Sequence, residues 1–244
     1  AMQEIYEGKL DKVFSYRGHT GETTEKFSYS AETYPVPAVK TVKPLAFIPV
    51  FPGTNCEYDT ARAVERVGGA AEILVINNLT PEAITQSIAE ASRMIARSQM
   101  IVLPGGFSGG DEPDGSAKFI TAFFRNPAMK DAVHDLLQRR DGLMLGICNG
   151  FQALIKLGLV PFGKIVPLTA ESPTLTYNTI GRHQSQLTLT RICTNKSPWL
   201  SCCNVGDIHN IPISHGEGRF VAPQEVLDTL VKNGQVATQY VDLA

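Results

Sequence analysis

The chain has 244 residues, with 22 Lys and Arg against 24 Asp and Glu, and a formal charge of −2. Its apolar fraction is 43% and its charged fraction 19%, which excludes a mostly disordered chain and speaks against a nucleic-acid binder, which would carry a basic excess. No apolar run approaches the roughly 20 residues that span a bilayer and no leader-like start is visible, so no membrane partner is expected. The five cysteines form an odd, irregularly spaced set. That argues against a disulfide framework and for a reducing, cytoplasmic setting, in which one well-placed thiol becomes a candidate nucleophile.

Residues 1–43 are polar and irregular. Tyr34-Pro35-Val36-Pro37 biases this stretch toward extended chain, and it reads as an N-terminal arm or linker. From residue 44 the texture changes. Leu45–Phe51 is a short apolar run ending in Pro52-Gly53 and suits a buried strand. Asp59–Val67 reads as a helix closed by Gly68-Gly69, and Ala71–Ile76 as a second strand. Thr80 is an N-cap before Pro81, and Pro81–Arg97 continues as an amphipathic helix with Ile84, Ile88, Ala91 and Ile95 on one face. Met100–Leu103 is a third strand. Ala117–Phe124 and Ala128–Gln138 read as helices, Leu143–Ile147 as a fourth strand and Phe151–Leu157 as a helix. Alternation at this spacing predicts βαβ units: an α/β fold with a mostly parallel sheet and helices on both faces. Farther on, Gln186–Cys193 and Ile208–Ile213 read as strands, Gln224–Lys232 as a helix and Gln235–Val241 as a closing strand.

Parallel sheets place ligand sites beyond the carboxyl ends of their strands, and two Gly-rich turns sit there. In Gly146-Ile147-Cys148-Asn149-Gly150 a strand passes directly into a helix, the cysteine counterpart of a nucleophile elbow. The tight turn pushes the central side chain outward, the glycines admit close backbone, and the helix N-terminus favours thiolate. The Asn149 amide is then placed to donate to an oxyanion. The second turn, Pro104–Gly110, lacks the P-loop and dinucleotide signatures. Beside the elbow, Gly106 becomes the second oxyanion donor.

A third feature, His215-Gly216-Glu217-Gly218, offers an imidazole and a carboxylate two residues apart, the pair a cysteine hydrolase needs. The alternative is a polar turn held by its own hydrogen bonds. Cys193, Cys202, Cys203 and His209 fit no common zinc spacing, so no metal is expected. Cys56 follows the first strand's turn with nothing beside it to support catalysis.

In order along the chain, Phe51-Pro52-Gly53-Thr54-Asn55-Cys56-Glu57, Pro104-Gly105-Gly106-Phe107-Ser108, Gly146-Ile147-Cys148-Asn149-Gly150-Phe151-Gln152 and His215-Gly216-Glu217-Gly218-Arg219 resemble the class I glutamine amidotransferase family, in the branch of the phosphoribosylformylglycinamidine synthases. The resemblance covers Leu45 to the C-terminus and implies a flavodoxin-like fold. It implies that Cys148 attacks the glutamine side-chain amide to form a thioester, that the Gly106 and Asn149 amides hold the oxyanion, and that Gln152 positions the substrate. Ammonia would pass to a synthetase domain or subunit, which would bring the ATP and magnesium; no cofactor is expected on this chain.

The family's catalytic His and Glu lie in a later Pro-His-Pro-Glu-Arg type motif. His215 and Glu217 match the earlier turn, and the chain ends at Ala244 before such a motif. Residues 44–244 are therefore expected to be a glutaminase-like domain lacking its C-terminal end, and a weak glutaminase by itself. Two other readings stand beside this one: an unrelated cysteine hydrolase of similar fold using His215 or another histidine as base, and a glutaminase-like docking module without chemistry.

Overall fold

The computed structural model describes Met2 and residues 25–33, 36–107 and 117–242. The described chain divides into two compact units, one of Val36–Thr174 with Ala222–Gln224, the other of residues 25–33, Leu175–Val221 and 225–242. The division therefore runs through the span 44–244.

The first unit is a four-stranded parallel sheet, β1 (Leu45–Val50), β2 (Ala70–Val75), β3 (Met100–Leu103) and β4 (Leu143–Gly146), in the order β2-β1-β3-β4. This is the strand order of a flavodoxin-like sheet, with its switch point between β1 and β3. The helices are α1 (Glu57–Arg66), α2 (Pro81–Arg97), α3 (Lys118–Arg125), α4 (Pro127–His134), α5 (Asn149–Leu157) and the one-turn α6 (Leu159–Phe162). Alternate residues of each strand enter different cores. Phe47, Ile101 and Leu103 face a large cluster with Ala91, Ile95, Phe124, Met129 and Leu157, supplied by α2 to α5. Ala46, Ile48 and Val102 face a smaller one, against Ala61 and Val64 of α1. Helices cover both faces, as the alternation predicts.

Local signals set the boundaries. The Thr80 side chain accepts from the Ala83 amide and Pro81 opens α2, while the Asn126 side chain accepts from Ala128 and Pro127 opens α4. The helix expected over Ala128–Gln138 ends as α at His134 and widens into a π-turn, Asp135–Arg139. Arg140 anchors that turn. It pairs with Asp135 through Nε at 2.9 Å and donates to the carbonyls of Ser98 and Ile95 at 2.9 and 2.6 Å, covering the C-terminus of α2.

The second unit holds an antiparallel sheet of β6 (Gln184–Ile192), β7 (Ile208–His215) and β9 (Thr238–Tyr240) in the order β7-β6-β9, and helix α7 (Gln224–Lys232) belongs to it from residue 225 onward. A two-stranded pair joins β5 (Thr174–Thr176) to β8 (Arg219–Val221). The expected strand over Gln235–Val241 shortens to three residues, and β5, β8 and α6 carry no sequence pattern long enough to read.

Residues 25–31 of the arm are stitched onto this second unit. The Tyr29 amide donates to the Cys193 carbonyl at 2.8 Å and the Phe27 amide to Gln239 Oε1 at 2.9 Å. Arg191 donates to the Phe27 carbonyl at 2.8 Å and to Ser28 Oγ at 2.6 Å, and the Ala31 amide reaches Asn195 Oδ1 at 3.0 Å. The Tyr29 ring lies so close to Gly234 that a Cβ there would sit 2.5 Å from it. Among the described residues no helix is long and apolar enough to cross a membrane.

Candidate functional site

At the carboxyl end of β4 the chain reverses into α5 within two residues. Cys148 adopts φ 51° and ψ −107° at the head of the helix, a conformation that costs about 1–3 kcal/mol for a residue with a Cβ. The surroundings enforce it. Ile147 continues the sheet ladder by donating to the Leu103 carbonyl at 3.0 Å. The Gly150 amide donates to the Ile147 carbonyl at 2.9 Å and the Gln152 amide to the Cys148 carbonyl at 3.0 Å. The two glycines are steric requirements: a Cβ on Gly150 would lie 2.3 Å from the Leu103 carbonyl oxygen, and one on Gly146 2.5 Å from the Gly150 carbonyl oxygen. The result is an exposed thiol on a rigid strand-to-helix turn.

The loop after β3 lies beside it. A Cβ built on Gly105 would be 3.3 Å from the Cβ of Cys148. Gly106 follows at φ +125°, a conformation open to glycine, and its amide carries no hydrogen bond among the described residues. The rest of that expected turn, from Ser108 to Gly110, lies outside the described residues. Asn149 opens α5, where the first amides look out of the helix end. Its side chain is buried and donates through Nδ2 to Gln152 Oε1 at 2.9 Å. Gln152 is itself only 6% exposed. Cys148, Gly106, Asn149 and Gln152 thus gather at one end of the parallel sheet, with the Gln152 carboxamide oriented by its neighbour one turn back.

His215 and Glu217 belong to the other unit, and they are not a hydrogen-bonded pair. His215 Nδ1 meets Asn178 Oδ1 at 3.0 Å. The orientation of Asn178 is fixed by its other bonds: Nδ2 donates to the carbonyls of Arg182 and His215 at 3.0 and 2.8 Å, and Oδ1 accepts from the Gly218 amide at 3.2 Å. Oδ1 can only accept, so Nδ1 of His215 carries the proton, and the neutral ring keeps a bare Nε2 that is buried without a partner. Burial first, and the nearby His183 second, push the His215 pKa below the ordinary histidine value. Asn178 organises this turn, and no motif in the sequence marks it.

The parallel unit's own histidine, His134, serves the packing of its neighbours, and its Nε2 accepts from the Ile165 amide at 3.0 Å. Cys56 starts α1 at φ 66° and its thiol lies 3.0 Å from Asn55 Oδ1. No group of three His, Cys, Asp or Glu side chains poised for a metal occurs among the described residues. Cys193 is buried, with its thiol 3.2 Å from Gln239 Oε1, and burial raises its pKa.

Known proteins are similar to this chain. The CobB/CobQ-like glutamine amidotransferase domain matches residues 43–244. Phosphoribosylformylglycinamidine synthase subunit PurQ of Chlorobium chlorochromatii is 34% identical over 198 residues, covering 78% of this chain and 69% of that protein. The subunit of the same name from Synechococcus elongatus is 35% identical over 79% of this chain and 74% of its own length. Among solved structures, PurLQS from Thermotoga maritima superposes with a TM-score of 0.58 at 25% identity, over 82% of this chain and 76% of that one. The chain belongs to the glutamine amidotransferase family of PurQ, the glutaminase subunit of phosphoribosylformylglycinamidine synthase.

Proposed function

We propose that this chain hydrolyses glutamine to glutamate and ammonia through a thioester on Cys148, and that a synthetase partner uses the ammonia to convert formylglycinamide ribonucleotide to its amidine in purine biosynthesis. ATP and magnesium belong to that partner. None of the five cysteines is in a disulfide, which suits a reducing cytoplasm.

Nucleophilic attack, oxyanion formation and substrate positioning each have a group on this chain to serve them. The Cys148 thiolate attacks the side-chain carboxamide carbon, and the carbonyl oxygen becomes an oxyanion facing the Gly106 and Asn149 amides. One such donor is worth on the order of 10²–10³ in kcat. Collapse of the tetrahedral adduct breaks the C–N bond, and ammonia leaves with a proton from a general acid. Water then attacks the thioester, giving glutamate and restoring the thiol. Gln152, held by Asn149, presents its carboxamide toward the substrate as a positioning group. The observation that carries this reading is the strained backbone of an exposed Cys148 at the head of a helix, with the open Gly106 amide on the adjoining loop.

The test is intact-mass labelling with a diazo-ketone glutamine analogue, in the enzyme assembled with its synthetase. A single adduct on wild type and none on Cys148→Ala is the expected result. An adduct that persists in Cys148→Ala, or glutamine turnover by that variant, would refute the thioester.

A further inference from the structure

The oxyanion donor Gly106 is held in place by the turn that follows β1. Phe51-Pro52-Gly53-Thr54 is a type II turn: the Thr54 amide donates to the Phe51 carbonyl at 2.9 Å, Pro52 occupies the first corner and Gly53 the second at φ +86°. The Thr54 side chain closes it a second time, its Oγ1 accepting from the Phe51 amide at 3.2 Å. Phe51 anchors the turn from below. Its ring is buried and packs edge-on against Phe119 and Phe123 with centroids 5.7 and 5.3 Å apart.

This anchored turn clamps the Gly105–Phe107 peptides from both sides. The Asn55 amide donates to the Gly105 carbonyl at 3.0 Å and the Phe107 amide donates to the Gly53 carbonyl at 2.9 Å, an isolated antiparallel bridge between Thr54 and Gly106. The fit leaves no room for a side chain: a Cβ on Gly106 would lie 2.5 Å from the Gly53 carbonyl oxygen and 2.9 Å from the Thr54 Cα. Both neighbours of Gly106 are thereby committed, through the carbonyl of one and the amide of the other, while its own amide stays open.

We infer that the Phe51–Asn55 turn is the positioning element of the oxyanion hole, with Thr54 the side chain that sets it. The inference rests on the thioester reading above and deepens it. The turn acts by fixing the direction of one N–H, and a misplacement of about 1 Å can cost on the order of 10² in rate.

Thr54→Val keeps the shape and removes the acceptor, and Thr54→Ser keeps the acceptor. In the enzyme assembled with its synthetase, Thr54→Val should lower kcat for glutamine hydrolysis by about 10-fold to 10²-fold with KM within about twofold. Thr54→Ser should recover most of the loss. Alkylation of Cys148 by iodoacetamide, read at its peptide, should proceed at the wild-type rate in both, because it needs no oxyanion hole. An unchanged kcat in Thr54→Val would overturn the inference and leave the thioester untouched. So would equal losses in Val and Ser, or a Val variant that fails to assemble or alkylates slowly, since each would mark a packing role. Failure of the thioester reading is registered separately, by turnover in Cys148→Ala.

Discussion

In the parallel unit β1 is sealed from both sides, with Ala46, Phe47 and Ile48 at 0% exposure, whereas β7 of the antiparallel unit is exposed from Ile208 to Pro212, on both of its faces. The two units hold their chemistry-bearing turns in correspondingly different ways. The elbow at Cys148 and the turn at Phe51 are set by apolar packing and by backbone approaches that only glycine allows. The His215 turn and the arm are set by directional bonds from Asn178, Asn195, Arg191 and Gln239. A packed core tolerates strain at one residue, because many contacts oppose its relaxation. A polar scaffold shapes a turn without storing much strain, and its stability is spread over a few replaceable side chains.

Three perturbations test this contrast. The largest effect is expected for Phe51→Ala, which removes a ring from the aromatic cluster and should cost about 3–5 kcal/mol. Denaturant unfolding would measure it, and hydrogen exchange should place the loss in the parallel unit. A smaller effect is expected for Asn178→Ala. It removes four hydrogen bonds around His215, some replaceable by water, for a net loss of about 1–3 kcal/mol. Exchange should accelerate around 214–218 and leave β1 to β4 unchanged; uniform acceleration of both units would break the comparison.

The smallest effect is on acidification. The pKa of His215 is lowered by burial and then by His183, and that of His134 by burial and then by Lys130. With folded values below the unfolded one of about 6.5, the unfolded chain binds more protons in the window between them. Stability from these two groups is therefore full above about pH 6.5 and lost as pH falls toward their folded values. The physical reasons differ. Protonating His134 abolishes its acceptance from Ile165, and protonating His215 buries an N–H that has no acceptor. Thermal melts between about pH 7.5 and 5 should fall less steeply for His134→Gln and for His215→Gln than for wild type.

The parallel unit is largely legible in the sequence because its signals are local. Apolar runs such as Met100–Leu103 can only be buried strands in such a chain, Thr80-Pro81 declares a helix start, and Gly146-Ile147-Cys148-Asn149-Gly150 states a steric problem with one geometric solution. The antiparallel unit is less legible because its determinants are distant along the chain. Three-residue strands such as Arg219–Val221 have no period to detect. His215 and Glu217 look paired by spacing, yet the imidazole is held from 37 positions away by Asn178. The clamp on Gly106 is half visible: Pro52-Gly53 announces a turn, but nothing in the sequence says that its far side meets Gly105 and Phe107.

The stitching of residues 25–31 has a consequence for how the molecule is made. Phe27 bonds to Gln239, a separation of 212 residues, and the second unit also interleaves segments on either side of the first. A chain emerging from the ribosome presents the whole of 36–174 before Gln239 exists, so the parallel unit can fold during synthesis. The antiparallel unit must wait for β9, which completes the bonds of its N-terminal segment, and the Phe27–Gln239 bond then spans 212 residues of chain. Nascent chains stalled before residue 235 should protect β1 to β4 from protease and leave residues 25–31 more readily cleaved than in chains that include β9.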